Sequence, residues 1–196
     1  MPVKKARKSA RKPAPKSRTK PRPKARKTPS PEALMAVWQK TMSPSEGHRR
    51  LEPLAGSWKA RTTFVMEPGG RPDVSEGRSE NRFILGGRYL EQRYTGSSMG
   101  MPFEGVGYTG YDNAQKTYVG TWMDSFGTGL MTSRGAGRPK DDLIRSTSEA
   151  VDPFGQKLCF DCALKIQDRD HHSFEMWLTP PGGKRYRSML IEYVRG

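Results

Sequence analysis

The chain has 196 residues, room for one domain of ordinary size, and carries a formal net charge of +15. Residues 1–31 hold 13 of the 35 Lys and Arg side chains and no acid, so the rest of the chain sets 22 basic groups against 20 acidic ones. That near-neutral body gives no reason of its own to meet nucleic acid or an anionic membrane. No apolar run approaches the roughly 18–20 residues of a spanning helix, and no apolar core follows the first charges to make a secretory signal.

The opening MPVKKARKSARKPAPKSRTKPRPKARKTPSP has almost nothing to bury and repels itself, so residues 1–30 are expected to be a disordered tail. Prolines at 13, 15, 21, 23 and 29 break the amphipathic helix that a mitochondrial transit peptide needs, which leaves a soluble, cytoplasmic protein as the expectation. Lys4, Lys5, Arg7, Lys8, Arg11 and Lys12 begin a run of cations suited to the phosphates of DNA or RNA without sequence preference. The bland alternative is a solubilising extension.

Residues 31–56 read as a helical lead-in and plug. Ser30-Pro31-Glu32 is an N-cap followed by Pro and an acid, and EALMAVWQKTM puts Leu34, Val37 and Trp38 on one helical face. Ser43-Pro44-Ser45-Glu46 reads as a capping box for a second short helix ending near Pro53.

From Ser57 the texture changes to short alternating runs, the pattern of half-buried strands. WKARTTFVME places Trp58, Ala60, Thr62, Phe64 and Met66 on one face. EGRSENRFIL and RYLEQRYTG flank Gly86-Gly87, a hairpin signal because both turn positions favour positive φ. FEGVGYTGYD and KTYVGTWMDS flank Asp112-Asn113. GTGLMTSR, DLIRSTSEA, QKLCFDCALKIQ, HHSFEMWL and RYRSMLIEYV complete ten strands over residues 57–196. Short connections make consecutive strands antiparallel, and closure removes exposed edges, so the fold class is an all-β, up-and-down barrel.

Gly56-Ser57-Trp58 at the first strand looks like the entry to lipocalin-type barrels, in which a Trp closes the floor and an Arg of the last strand covers it. Trp58 and Arg195 are the pair placed for that here. GHRRLEPLAGSW, ILGGRYLEQRY, MGMPFEGVGYTGYDN, TYVGTWMDSFGTG and IEYVRG together resemble a bacterial family catalogued as domain of unknown function 1579, over residues from about 45 to 196. The resemblance implies a lipocalin-like barrel and no reaction, and the tail lies outside it.

Enzyme motifs fail on their context. Gly96-Ser97-Ser98-Met99-Gly100 fits G-x-S-x-G, but a further strand follows where a nucleophile elbow needs a helix. Cys159 and Cys162 spell C-x-x-C, yet their odd spacing on a strand sends Cys162 inward and Cys159 outward, and two thiols cannot complete a zinc site. Haem held by inward-facing His172 beside Phe174 and Met176 would lack the further motif residues of nitrobindin-type barrels, so no cofactor and no metal is implied. Asp124 with Glu104 or Asp112 is the one candidate carboxylate pair for an isomerase or hydrolase, against Asp112 and Asn113 simply capping a turn.

The inward apolar set, Phe83, Leu85, Leu90, Tyr94, Phe160, Leu164, Phe174 and Met176, could fill a core. It is joined by Ser79, Asn81, Gln92 and Asp124, too polar for a dry interior without partners. Ten strands should leave more room than eight. The favoured reading is therefore a binding module for a small, largely apolar molecule, with Gln92, Tyr94, Tyr118, Trp122, Asp124, Phe174 and Met176 lining its site. Asp124 is either a handle for the ligand or an acceptor for the backbone of the SFGTG turn.

Overall fold

The computed structural model describes residues 29–137, 141–180 and 182–196. The six tail cations named above lie outside the described residues. Helix α1 (Pro31–Met42) and the four-residue α2 (Glu46–Arg49) lead through a 3₁₀ turn, Glu52–Leu54, into ten strands. These are β1 (Gly56–Phe64), β2 (Asp73–Ile84), β3 (Tyr89–Ser98), β4 (Met101–Asp112) and β5 (Thr117–Asp124), then β6 (Met131–Ala136), β7 (Leu143–Val151), β8 (Lys157–Ile166), β9 (His171–Leu178) and β10 (Tyr186–Arg195). Each pairs antiparallel with its sequence neighbours, and β1 pairs with both β2 and β10, closing the barrel. Closure satisfies the backbone groups that an open sheet would leave at its edges.

The predicted caps and turns hold with two changes. Ser30 accepts from the Ala33 amide as the α1 N-cap. The second cap shifts from Ser43 to Ser45, and His48 replaces the expected Glu46: its Nδ1 accepts from the Ser45 amide at 3.0 Å. Gly86 and Gly87 both have positive φ, but Leu85 joins them at φ 50°, so its side chain turns out to solvent instead of inward. Met66 lies beyond the end of β1 and is also exposed, because the face alternation stops where the ladder stops.

The apolar stripe of α1 is exposed along its whole length. None of its residues is buried, and its C-terminal end is held by Asn113, which donates to Thr41 and Ser43 carbonyls, and by Arg88, which donates to Met42. The segment after it does the plugging. Leu51 and Leu54 are fully buried against Leu90, Tyr118, Ile144 and Ile166. Among the described residues no helix is long and apolar enough to cross a membrane.

Candidate functional site

The floor of the barrel is built at its entry. Gly56 has φ +117°, and a Cβ there would come within 2.6 Å of Arg195 Nη1, so both the turn and the guanidinium need glycine. Arg195 pairs with Trp58 across β1 and β10, and its Cζ sits 4.2 Å from the indole centroid. The same guanidinium donates to the Ala55 and Pro53 carbonyls at 3.1 and 3.0 Å, tying the plug to the last strand. Trp58 Nε1 and Asn81 Nδ2 both donate to the Leu54 carbonyl at 2.9 Å. The sequence-derived Trp–Arg pair is thus one part of a latch that also holds the plug.

Above this floor is a cavity of about 390 Å³. All seven residues proposed as ligand-binding from the sequence line it: Gln92, Tyr94, Tyr118, Trp122, Asp124, Phe174 and Met176. Alternation explains the grouping, since Trp122 faces Gly107 across β4–β5, and Phe174 and Met176 face Ile191 and Met189 across β9–β10. Sequence reasoning did not assign Phe103, Met131, Met189 and Ile191 to the site. Their signal was the same alternation, which becomes decisive only when the register to a neighbouring strand is known.

Trp122 lies flat on β4. A Cβ on Gly105 or Gly107 would come within 2.2 or 2.8 Å of the indole, so two glycines make the seat for the ring. Its Nε1 donates to Asp124 Oδ2 at 2.9 Å, and the Phe126 amide donates to Oδ1 at 3.0 Å. Both carboxylate oxygens are therefore engaged by the protein itself: one pins the indole, the other caps the turn after β5. The carboxylate pair does not form. Glu104 is exposed and sits beside inward-facing Gly105, hence on the outer face, while Asp112 accepts from the Ala114 and Gln115 amides in its own turn.

A polar belt lies against the floor of the cavity, since Ser79 and Asn81 pair with Trp58 and Gly56 across β1–β2. Gln92 Nε2 donates to Ser79 Oγ at 3.0 Å and to the Tyr193 hydroxyl at 3.2 Å, and Ser79 in turn donates to Asn81. Tyr94 and Thr62 share a hydrogen bond through their hydroxyls at 3.2 Å. His172 stacks on Tyr193 with centroids 4.2 Å apart and meets Trp58 edge-on at the same distance. Its Nδ1 is buried and has no partner among the described residues, and the same holds for the Tyr118 hydroxyl. Burial, with Arg195 adding to it, pushes the His172 pKa down from 6.5 to about 3, so the imidazole is neutral. Burial also raises the Tyr193 and Tyr118 phenols, which stay protonated.

The two cysteines are unpaired, Cys162 buried and Cys159 exposed, as their spacing on β8 requires. Ser98, the would-be nucleophile, ends β3, and β4 follows the hairpin where the elbow needs a helix. Among the described residues no group of three or more His, Cys, Asp or Glu side chains gathers to hold a metal ion.

A family model described as "Protein of unknown function (DUF1579)" matches residues 43–195. The chain belongs to that family. The match spans the plug, the latch and every residue lining the cavity, and begins just after α1. No curated protein matches the chain. Among solved structures the barrel is similar to the crystal structure of Rv2717c from M. tuberculosis, with TM-score 0.61 and 17% identity over 79% of this chain and 99% of that one. A redesigned β-barrel matches with TM-score 0.42 and 15% identity, over 76% of this chain and 96% of the other. At these identities the likeness to Rv2717c is one of fold.

Proposed function

We propose that the protein is a binding module whose barrel holds a small, largely apolar molecule. The observation that carries this is the cavity itself. Its volume falls in the range of about 300–1,000 Å³ typical of small-molecule sites, and its walls mix aromatic and Met side chains with a few converging polar groups. The enzymatic alternative loses its carboxylate pair with Glu104 on the outside. The exposed free thiol of Cys159 is compatible with a reducing compartment, and a cytoplasmic location is part of this reading.

Titration with an uncharged naphthylamine dye, whose emission rises in apolar surroundings, tests the reading. Saturable binding at one site per chain, lost on introducing Gly107→Leu beside Trp122, is the expected result. A folded wild-type protein that leaves the dye unbound would remove the reading.

The tail supports a second activity, non-specific binding of DNA or RNA. Its 13 cations with no acid are the supporting observation. Engagement of about 6–10 phosphates would lower affinity by about 10³–10⁵ between about 50 and 200 mM salt. Equal binding by protein lacking residues 1–30, or a flat salt response, would assign the tail to solubility alone.

A further inference from the structure

The electrostatics of the cavity narrow what it can hold. Among the described residues, no Lys, Arg or Glu lines it. Asp124 is the one carboxylate, and both its oxygens already accept hydrogen bonds from Trp122 and Phe126. An anionic ligand would therefore bury its charge with no cation beside it, and a cationic one would have to compete with two donors for Asp124. Either costs heavily in a water-poor interior.

The belt, by contrast, offers neutral donors and acceptors. Gln92 spends its amide nitrogen on Ser79 and Tyr193, and its carbonyl oxygen accepts from no group among the described residues. Tyr193 accepts from Gln92 and keeps its own proton to give. Close by, the His172 ring lines the same cavity, and its Nδ1 makes no hydrogen bond among the described residues. Away from the floor the lining carries the large apolar side chains Phe64, Phe103, Trp122, Met131 and Met189, with Ser97, Ser98 and Asp124 among them.

We propose that the cavity takes a neutral amphiphile, with an uncharged hydroxyl, carbonyl or amide head at the Gln92–Tyr193–His172 belt and an apolar body running away from the floor. This rests on the binding reading above and adds to it the charge state of the ligand and the place of its head.

Displacement of the bound naphthylamine dye by decanol, decanoate and decylammonium, at about pH 8 where the acid is ionised, separates the two claims. The full chain should bind decanol on the order of 100-fold more tightly than decanoate, and decylammonium should be the weaker ligand as well. If the dye itself does not bind, the binding reading fails and this inference falls with it. If the dye binds but decanoate displaces it as well as decanol, the inference is overturned while the binding module stands. Preference for decylammonium overturns it too, and makes Asp124 the handle.

Gln92→Met tests the position of the head. It should weaken decanol about tenfold more than it weakens the dye, which carries no head for the belt to hold. Where that variant does not fold, Tyr193→Phe removes one belt hydroxyl and keeps the stack on His172, and should weaken decanol several-fold. Unchanged decanol affinity in a folded variant overturns the placement at the belt.

Discussion

Helix α1 is richer in apolar side chains than the plug segment that follows it, yet it is the plug that is buried. Leu34, Met35, Val37, Trp38 and Met42 are each about half exposed or more, with nothing among the described residues covering them. Leu51 and Leu54 are at 0% and 3%. Helical periodicity marks what an element could bury, but a closed barrel has one floor to fill, and the chain next to Gly56 reaches it first. The Leu54 carbonyl then fixes the choice by accepting from both Trp58 and Asn81, while α1 is held only by exposed bonds at its end. The family match divides the two regions at the same place, beginning at residue 43.

The largest effect that can break this contrast comes from truncating matched apolar residues. Leu51→Ala should cost about 2–5 kcal/mol, as buried Leu truncations do. Trp38→Ala removes a larger side chain from α1 and should change stability by no more than about 0.5 kcal/mol. Urea midpoints of the two variants check this. A comparable loss for Trp38→Ala would mean that α1 docks against the barrel.

Acid should strike the floor next. His172 and His48 both have lowered pKa values, mainly through burial, with Arg195 and Arg88 respectively adding to it. A depressed histidine takes its proton more readily in the unfolded chain. Its contribution is therefore complete above the ordinary value of 6.5 and is lost as pH falls below it, for His172 down to about 3. Between pH 6.5 and about 4.5 His172 alone should drain about 2–3 kcal/mol. His172→Gln, which cannot titrate, should flatten that part of the stability profile. An unchanged slope in the variant would assign the acid sensitivity elsewhere.

The barrel was legible in the sequence because alternation recurred along ten runs and turn chemistry marked two of the hairpins: Asp112 caps its own turn, and Gly86 and Gly87 take positive φ. Errors came where local pattern outran the ladder. Met66 continues the alternation of β1 by one step after pairing has ended, and Leu85 is drawn into the turn. Asp124 was legible only as an alternative. Its partner Trp122 is two residues away on the same face, and whether that donor or a ligand takes the oxygen depends on the ring orientation set by Gly105 and Gly107. Glu91 shows what one strand cannot reveal. Alternation puts it on the outer face, yet it is buried, because Arg82 and Tyr108 flank it in the same cross-strand row and Arg93 reaches over it. Two guanidinium hydrogen bonds hold its carboxyl below the usual range.

The smallest expected effect is the sharpest test of the division between α1 and the plug. Removing residues 1–42 takes away the tail and all of α1 but leaves Ser45, His48 and the plug intact. Among the described residues, the hydrogen bonds to the barrel that are lost are those from Arg88 to Met42 and from Asn113 to Thr41. Both are exposed and can be replaced by water, so together they should contribute less than about 1 kcal/mol. Thermal melts of the full chain and the truncated one should then agree within a few degrees, and dye affinity should be unchanged, since no described residue before Leu54 lines the cavity. Cutting twelve residues further, past Leu51 and Leu54, should by contrast leave the floor open and remove the acceptor for Trp58 and Asn81. A large loss already at the first cut would show that the exposed stripe of α1 is held against the barrel in solution, and the boundary between lead-in and plug would have to move back to Ser30.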